Sequence, residues 1–422
     1  MLLSNVSYVD ENFHIRKGDL EIEGGIIRSI QPHRERRPDR ISVDCTNYTV
    51  IPGLNNAHFH GYSLTAKGLA REKRIEQWTS EDSQGKLQSK YFDNISKLSQ
   101  DEYQTVCQKA YVEMVRMGIT FLSESDPGLW PDGIANTINE VGISGVVDCY
   151  DKIGLQRGPD QSSKVRYVTH LLEEEDITDD TLAACKALKQ VHGDCIFQTH
   201  SMENLWRKKL IYEKYGHSSV ELFFVNGLLD SKTVLFHATH LNELDIHLLS
   251  KSETSVVHCP VSNFWTGAGI APVGQMLEKG VNVCIGTDYA SADIWEAMRV
   301  TYYLLKYNLP VSRFNAQDVL KMATINGAKA YKRDNVGIVK EGFIADLVFI
   351  KKDDLIPVVD TDEFSNQIHN LLFETKESAI RHVMVHGEWI MYDRCITKIN
   401  EVELNEKYKG ILSKIYNDIN ND

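Results

Sequence analysis

From about residue 50 to about residue 336, short apolar runs alternate with longer segments of helical periodicity, and few folds accommodate that alternation. The runs cover 48–60, 118–125, 143–149, 165–170, 195–200, 233–237, 255–258 and 281–288. Segments 103–117, 180–192, 243–251 and 294–305, which fall between or after them, repeat apolar residues at the spacing of an amphipathic helix. Regular strand–helix alternation builds a parallel sheet with helices on its faces. Eight such runs over this span predict an α/β fold of the (β/α)8, or TIM, barrel type.

The chain ends have a different texture. Residues 1–50 read as short strands, with Gly24-Gly25 between two alternating runs as a hairpin signal. Segments 343–350, 379–385 and 387–391 return to strand texture, and 401–419 reads as a final amphipathic helix. The expected organisation is a barrel over 52–336 inserted into a small β-sandwich-like domain made from 1–51 plus 337–422, the latter carrying the terminal helix.

Composition limits the function classes. The 422 residues are 42% hydrophobic and 25% charged, the profile of a globular protein. A formal net charge of −13 argues against a nucleic-acid or anionic-membrane partner, which it would repel. The eight cysteines are scattered, none in a Cys-x-x-Cys pair, which suits a reducing compartment. Neither an N-terminal apolar signal region nor a bilayer-length apolar run is seen, so a cytoplasmic location is expected.

Barrel enzymes keep their active sites at the C-terminal ends of the strands. Here strand one ends in His58-Phe59-His60, strand five in His200, strand six in His237 and strand eight in Asp288. On an extended strand, residues i and i+2 face one side, so His58 and His60 point together. Three imidazoles and a carboxylate can converge on one ion and leave a position for water. A single His at a strand end is more often structural, and Asp288 alone would suit a helix N-cap. It is the joint placement at one end of the barrel that points to a metal.

The motifs then extend along the whole chain: Pro52-Gly53-Leu54 through His60, Lys67-Gly68-Leu69-Ala70, His200-x-x-Glu203, His258-Cys259-Pro260-Val261-Ser262-Asn263, Gly269-Ile270-Ala271-Pro272-Val273, Gly286-Thr287-Asp288, and 322–328. In these the chain resembles the amidohydrolase superfamily. It is most similar to the mononuclear aminohydrolase branch, which holds guanine, cytosine, adenosine-type and S-adenosylhomocysteine deaminases and the triazine hydrolases.

The resemblance implies roles. His58, His60, His200 and Asp288 would hold one divalent metal per chain, Zn2+ first, with Fe2+ or Mn2+ compatible with the same ligands. The metal would lower the pKa of bound water towards ~7 and make hydroxide available. Asp288 would also take the water's proton, and His237 would position that water. Glu203 would carry protons to a ring nitrogen and to the leaving amine, which must be protonated to depart. His170 at the end of strand four, where two-metal relatives carry a lysine, would contact substrate. His258 would line the pocket, and Trp78 would offer an aromatic face to a flat ring.

There are departures from the branch. Lys67 stands where Arg is common, the segment after Asp288 is short, strand two ends in Ser123-Glu124-Ser125-Asp126, and strand four lacks the usual Pro beside its His. These loops shape the substrate pocket. The resemblance therefore implies a metal-dependent hydrolase that releases ammonia from an aminated purine, pterin, pyrimidine or triazine. Its partners would be a small heterocycle and water, and the family is commonly homo-oligomeric. The same site could instead expel halide or alkylamine or open a cyclic amide. A non-catalytic scaffold would typically lack the metal ligands that are present here.

Overall fold

The computed structural model describes residues 1–34, 42–149, 164–307, 309–361, 363–417 and 419. Two sheets organise them. Eight parallel strands follow one another in chain order: Leu54–Phe59, Ile119–Glu124, Ser144–Cys149, Val165–His170, Phe197–Ser201, Thr233–His237, Ser255–His258 and Val283–Ile285. The ring closes between the last and the first. Asp288 bridges Phe59 in parallel, and its N–H donates to the His58 carbonyl at 3.0 Å. Nearly every strand residue is buried, which is why these strands read as continuous apolar runs rather than as alternation. Helices Gln100–Arg116, Asp179–Val191, Glu243–Ser252 and Ile294–Tyr307 stand where the periodicity puts them. The first of these starts with a capping box, in which Ser99 and Glu102 satisfy each other's backbone N–H groups.

The small β domain expected from the chain ends is a single mixed sheet. Cys395–Ile396, Glu388–Tyr392, Ile380–Val385, Leu347–Lys351, Tyr48–Pro52, Leu2–Val9, Ile15–Glu23 and Ile26–Gln31 lie side by side in that order, and Ser42–Asp44 pairs with Leu2–Val9. The antiparallel pair Tyr48–Pro52 and Leu347–Lys351 joins the two chain ends. Leu3, Leu20, Val50, Leu347, Phe349 and Met384 share its core.

The 48–60 run is two strands, not one. Gly53 separates Tyr48–Pro52, in the mixed sheet, from Leu54–Phe59, in the barrel. A Cβ on Gly53 would stand 2.1 Å from Thr120 Oγ1, so only glycine lets the chain change sheets this close to the second barrel strand. The terminal helix Glu401–Tyr416 lies on the barrel rather than on the sheet with which the sequence groups it. It packs against helices Ser83–Ser96 and Gln100–Arg116, and its Leu404, Ile411 and Ile415 join a hydrophobic cluster shared by the barrel helices and the mixed sheet. Lys414 pairs with Glu102 at 2.7 Å, and Asn94 donates to the Ile415 carbonyl at 2.8 Å. Among the described residues, no helix is long and apolar enough to cross a membrane.

Candidate metal centre and active site

Barrel closure brings strand eight against strand one, and with it Asp288 against both histidines. Asp288 Oδ1 lies 3.2 Å from His58 Nε2 and 3.2 Å from His60 Nε2. The His200 ring is 4.9 Å from that of His58 and 5.9 Å from that of His60. His58, His60 and His200 present ligand atoms within 4.8 Å of one another, and so do His58, His237 and Asp288. His237 and Asp288 both have left-handed backbones, with φ of 68° and 62°. Non-glycine residues hold such conformations at a cost of about 1–3 kcal/mol, and they cluster at functional sites.

Each ring except that of His60 is steered from its far nitrogen. His58 Nδ1 is 2.8 Å from Ser125 Oγ, His200 Nδ1 is 2.7 Å from Glu173 Oε1, and His237 Nδ1 is 2.8 Å from Asn263 Oδ1. The other nitrogens of these rings are thereby left to the centre. Burial holds the His58 ring well below the usual imidazole range, so it is neutral and carries a lone pair. Its Nε2 is buried, and its near polar neighbour is Asp288 Oδ1 at 3.2 Å, in a geometry that does not make a hydrogen bond. For His60, burial acts against the charge, but Asp288 overrides it and lifts the ring to about 9. Asp288 stays ionised although fully enclosed, because the surrounding imidazoles outweigh its burial. A buried carboxylate ringed by imidazoles, two of which keep a buried nitrogen without a hydrogen bond, fits a divalent cation of the zinc type.

Glu203 and His237 stand next to this set. His237 Nε2 is 3.9 Å from Asp288 Oδ2 and 4.0 Å from Glu203 Oε1. Both side chains are almost wholly buried. Glu203 is the residue before Asn204, which caps helix Leu205–Tyr215 by accepting from Arg207 N. The carboxylate of Glu203 therefore enters the site from the rim, with Arg207 donating to its Oε2 at 2.9 Å.

The three expected substrate contacts differ in their surroundings. His170 has both ring nitrogens engaged, Nδ1 at 2.7 Å from Asp148 Oδ2 and Nε2 at 2.8 Å from Glu173 Oε1. Burial opposes its charge, yet the two carboxylates raise it to about 10, making it an imidazolium that links Asp148 to the Glu173–His200 pair. His258 is the opposite case: burial lowers it to about 3, and both its ring nitrogens are enclosed without a partner. Trp78 packs nearly parallel to Trp265, with ring centres 5.9 Å apart, and lies 4.8 Å from Tyr289, beside the metal set. The indole N–H groups of Trp78 and Trp265 are both buried and unpartnered.

Sequence reasoning did not single out Ser125, Glu173, Asp148, Asn263 or Arg207 for a role. Two signals were available. Glu173 follows His170 by three residues in the loop after strand four, and Arg207 follows Glu203 by four across a helix start, so both are close enough in sequence to meet.

Residues 162–390, more than half of the chain, match the amidohydrolase family model. The 5-methylthioadenosine/S-adenosylhomocysteine deaminase of Pyrococcus horikoshii is 29% identical over 435 aligned positions, covering 97% of this chain and 99% of its own. An adenosine deaminase of Xanthomonas campestris, solved with bound zinc, superposes with a TM-score of 0.88 at 20% identity, covering 99% of this chain and 98% of its own. The zinc complex of an atrazine chlorohydrolase from Arthrobacter aurescens gives a TM-score of 0.84 at 16% identity, covering 97% and 99%. With its barrel, its strand-end residues and this match, the chain belongs to the amidohydrolase family.

Proposed function

We propose that the chain is a metal-dependent aminohydrolase that removes the amino group of an aminated N-heterocycle and releases ammonia. The observation that carries this reading is the meeting of Asp288 with His58 and His60 at 3.2 Å, with His237 and Glu203 set against the same carboxylate side of the site. His58, His60, His200 and Asp288 would hold the ion. Zn2+ is the first choice because the similar Xanthomonas deaminase was solved with it. When bound, the ion supplies the Lewis acidity that makes a water molecule a source of hydroxide near neutral pH.

The remaining chemistry belongs to the side chains. Asp288, kept ionised, accepts the proton released as water attacks. His237, fixed by Asn263, turns Nε2 towards the incoming oxygen. Glu203, in its protonated form, gives its proton to the ring nitrogen next to the attacked carbon. The proton taken up by Asp288 and that of the new hydroxyl then go to the departing amine and back to Glu203, so that ammonia leaves rather than an amide anion and both carboxyl groups return to their starting forms. His258 and Trp78 line the space beyond. The names of the full-length relatives favour a 6-aminopurine of the adenosine type over the pterin, pyrimidine and triazine rings.

The test is a coupled ammonia assay across aminopurine nucleosides, aminopurines, pterins, pyrimidines and triazines, on protein whose metal content is measured. Ammonia from one ring class with about one metal per chain supports the reading. A loaded protein that frees no ammonia from any ring but displaces another leaving group, such as chloride from a chlorotriazine, would replace it.

A further inference from the structure

Arg207 sits where two parts of the site meet. From the first turn of helix Leu205–Tyr215 its guanidinium reaches three carboxylates. Nη1 donates to Glu203 Oε2 at 2.9 Å, and Nη2 lies 3.3 Å from Glu173 Oε2. Nε and Nη2 close on Glu175 Oε1 at 3.0 and 2.8 Å. Its side chain is 11% exposed, so these contacts are largely shielded from water. Each of the first two carboxylates has a second attachment. Glu173 Oε1 holds Nδ1 of His200 together with Nε2 of His170, and Glu203 Oε1 is turned towards Nε2 of His237, 4.0 Å away and not hydrogen-bonded to it. A planar guanidinium presents its donors in a rigid fork, which a lysine ammonium cannot reproduce. Fixing one arm of the fork therefore fixes the direction of the other.

We propose that Arg207 is a positioning residue that locks the carboxylate steering metal ligand His200 and the proton-carrying carboxylate Glu203 into one rigid unit. This rests on the roles given above to His200 and Glu203. Through Glu173 it holds the His200 ring in the rotation that presents Nε2 to the ion. Through Glu203 Oε2 it leaves Oε1 as the oxygen free to meet the substrate. The Nη1 hydrogen bond keeps Glu203 from swinging out towards the rim, while the contact to Glu173 is an ion pair.

The experiment compares wild type, Arg207→Met, Arg207→Lys, Glu203→Gln and the double variant Glu203→Gln/Arg207→Met, each as the full chain. Zinc affinity is read by competition with a chromophoric chelator, which needs no substrate. Loss of the brace behind a ligand typically weakens metal binding by about 10- to 100-fold, and Arg207→Met is expected in that range. At saturating zinc, kcat for the ring identified by the ammonia assay is expected to fall by up to about 100-fold, the cost of roughly 1 Å of misplacement, while KM changes little. Adding Arg207→Met to Glu203→Gln is expected to lower kcat no further, because both act on one carboxylate. Arg207→Lys, which keeps the charge and so the fold, is expected to show both losses in smaller measure, and it decides the matter if the Met variant does not fold. Unchanged zinc affinity overturns the proposal. So does weakened zinc binding with full kcat at saturation, or a loss in the double variant that multiplies the two single losses. A chain that turns over no ring but shows the zinc effect retains the Glu173 arm and removes the function reading instead.

Discussion

Ser125 Oγ lies 2.8 Å from Nδ1 of His58, where His58 is on the first barrel strand and Ser125 directly follows the second. With Nδ1 engaged by the hydroxyl, Nε2 is the nitrogen turned towards Asp288 and the centre. Ser125→Ala should weaken metal binding by about tenfold with little loss of stability, because the alanine leaves only a small gap. Zinc competition at constant pH measures it. An unchanged affinity would show that packing against Phe236, whose ring is 3.9 Å from that of His58, is enough to hold the ligand.

The two carboxylates of the centre separate by role. Glu203→Gln is expected to retain a full complement of metal and lose turnover by about 10²- to 10⁴-fold, the range for a lost proton carrier. Asp288→Asn should lose both metal affinity and activity, since it is placed as ligand and base at once. Metal analysis beside steady-state kinetics distinguishes them. Near wild-type turnover in Glu203→Gln would remove that residue from the mechanism.

Gly53 tests the junction between the sheets. Gly53→Ala forces a methyl against Thr120, and overpacking of this kind costs about 1–3 kcal/mol. Thr120→Ala in the same chain should recover part of that loss. Urea unfolding of the single and double variants reads it, and a neutral Gly53→Ala would mean that the second barrel strand yields easily.

His382 is expected to make stability depend on pH. It is enclosed by Tyr48, Phe349 and Trp389, and its Nδ1 accepts from Asp393 N at 2.9 Å. Burial lowers it to about 4; Asp393 pulls it upward and Arg381 pushes it further down. Above about pH 6.5 the ring is neutral in the folded and unfolded chain alike and costs nothing. As the pH falls from there, the unfolded chain takes a proton that the folded one refuses until about 4, so stability is lost across that window. His382→Gln should narrow the difference between urea midpoints at about pH 7.5 and about pH 5. Equal differences in both proteins would exclude the ring as a source of acid sensitivity.

The barrel was legible because strands buried on both faces read as unbroken apolar runs, and because His58, His60, His200, His237 and Asp288 sit at the ends of those runs. Other features were hidden for physical reasons. The change of sheet at Gly53 lies inside one apolar run and depends on the nearness of Thr120, which only the fold reveals. The terminal helix has an amphipathic face, but nothing in its sequence says which surface covers it. Glu173 and Arg207 belong to loop and helix-start segments rich in charge, where most such residues are solvated. Their meeting depends on how the ends of strands four and five stand side by side. His170 was legible as a strand-end histidine, but its saturation by Asp148 and Glu173 was not, since its partners come from strand three and from the loop after strand four.

The seam at which Asp288 donates its backbone N–H to the His58 carbonyl has a consequence for how the protein is made. The two sides of that seam are the first and last strands of the barrel, so translation supplies them farthest apart in time. The proposed ligand set of His58, His60, His200 and Asp288 spans the join and is complete only when the ring has shut. A nascent chain that has not yet delivered strand eight carries His58 and His60 without their carboxylate. On the proposed ligand set, the full grip on an ion would then be a late check on completeness, a clasp fastened only when the last strand has arrived.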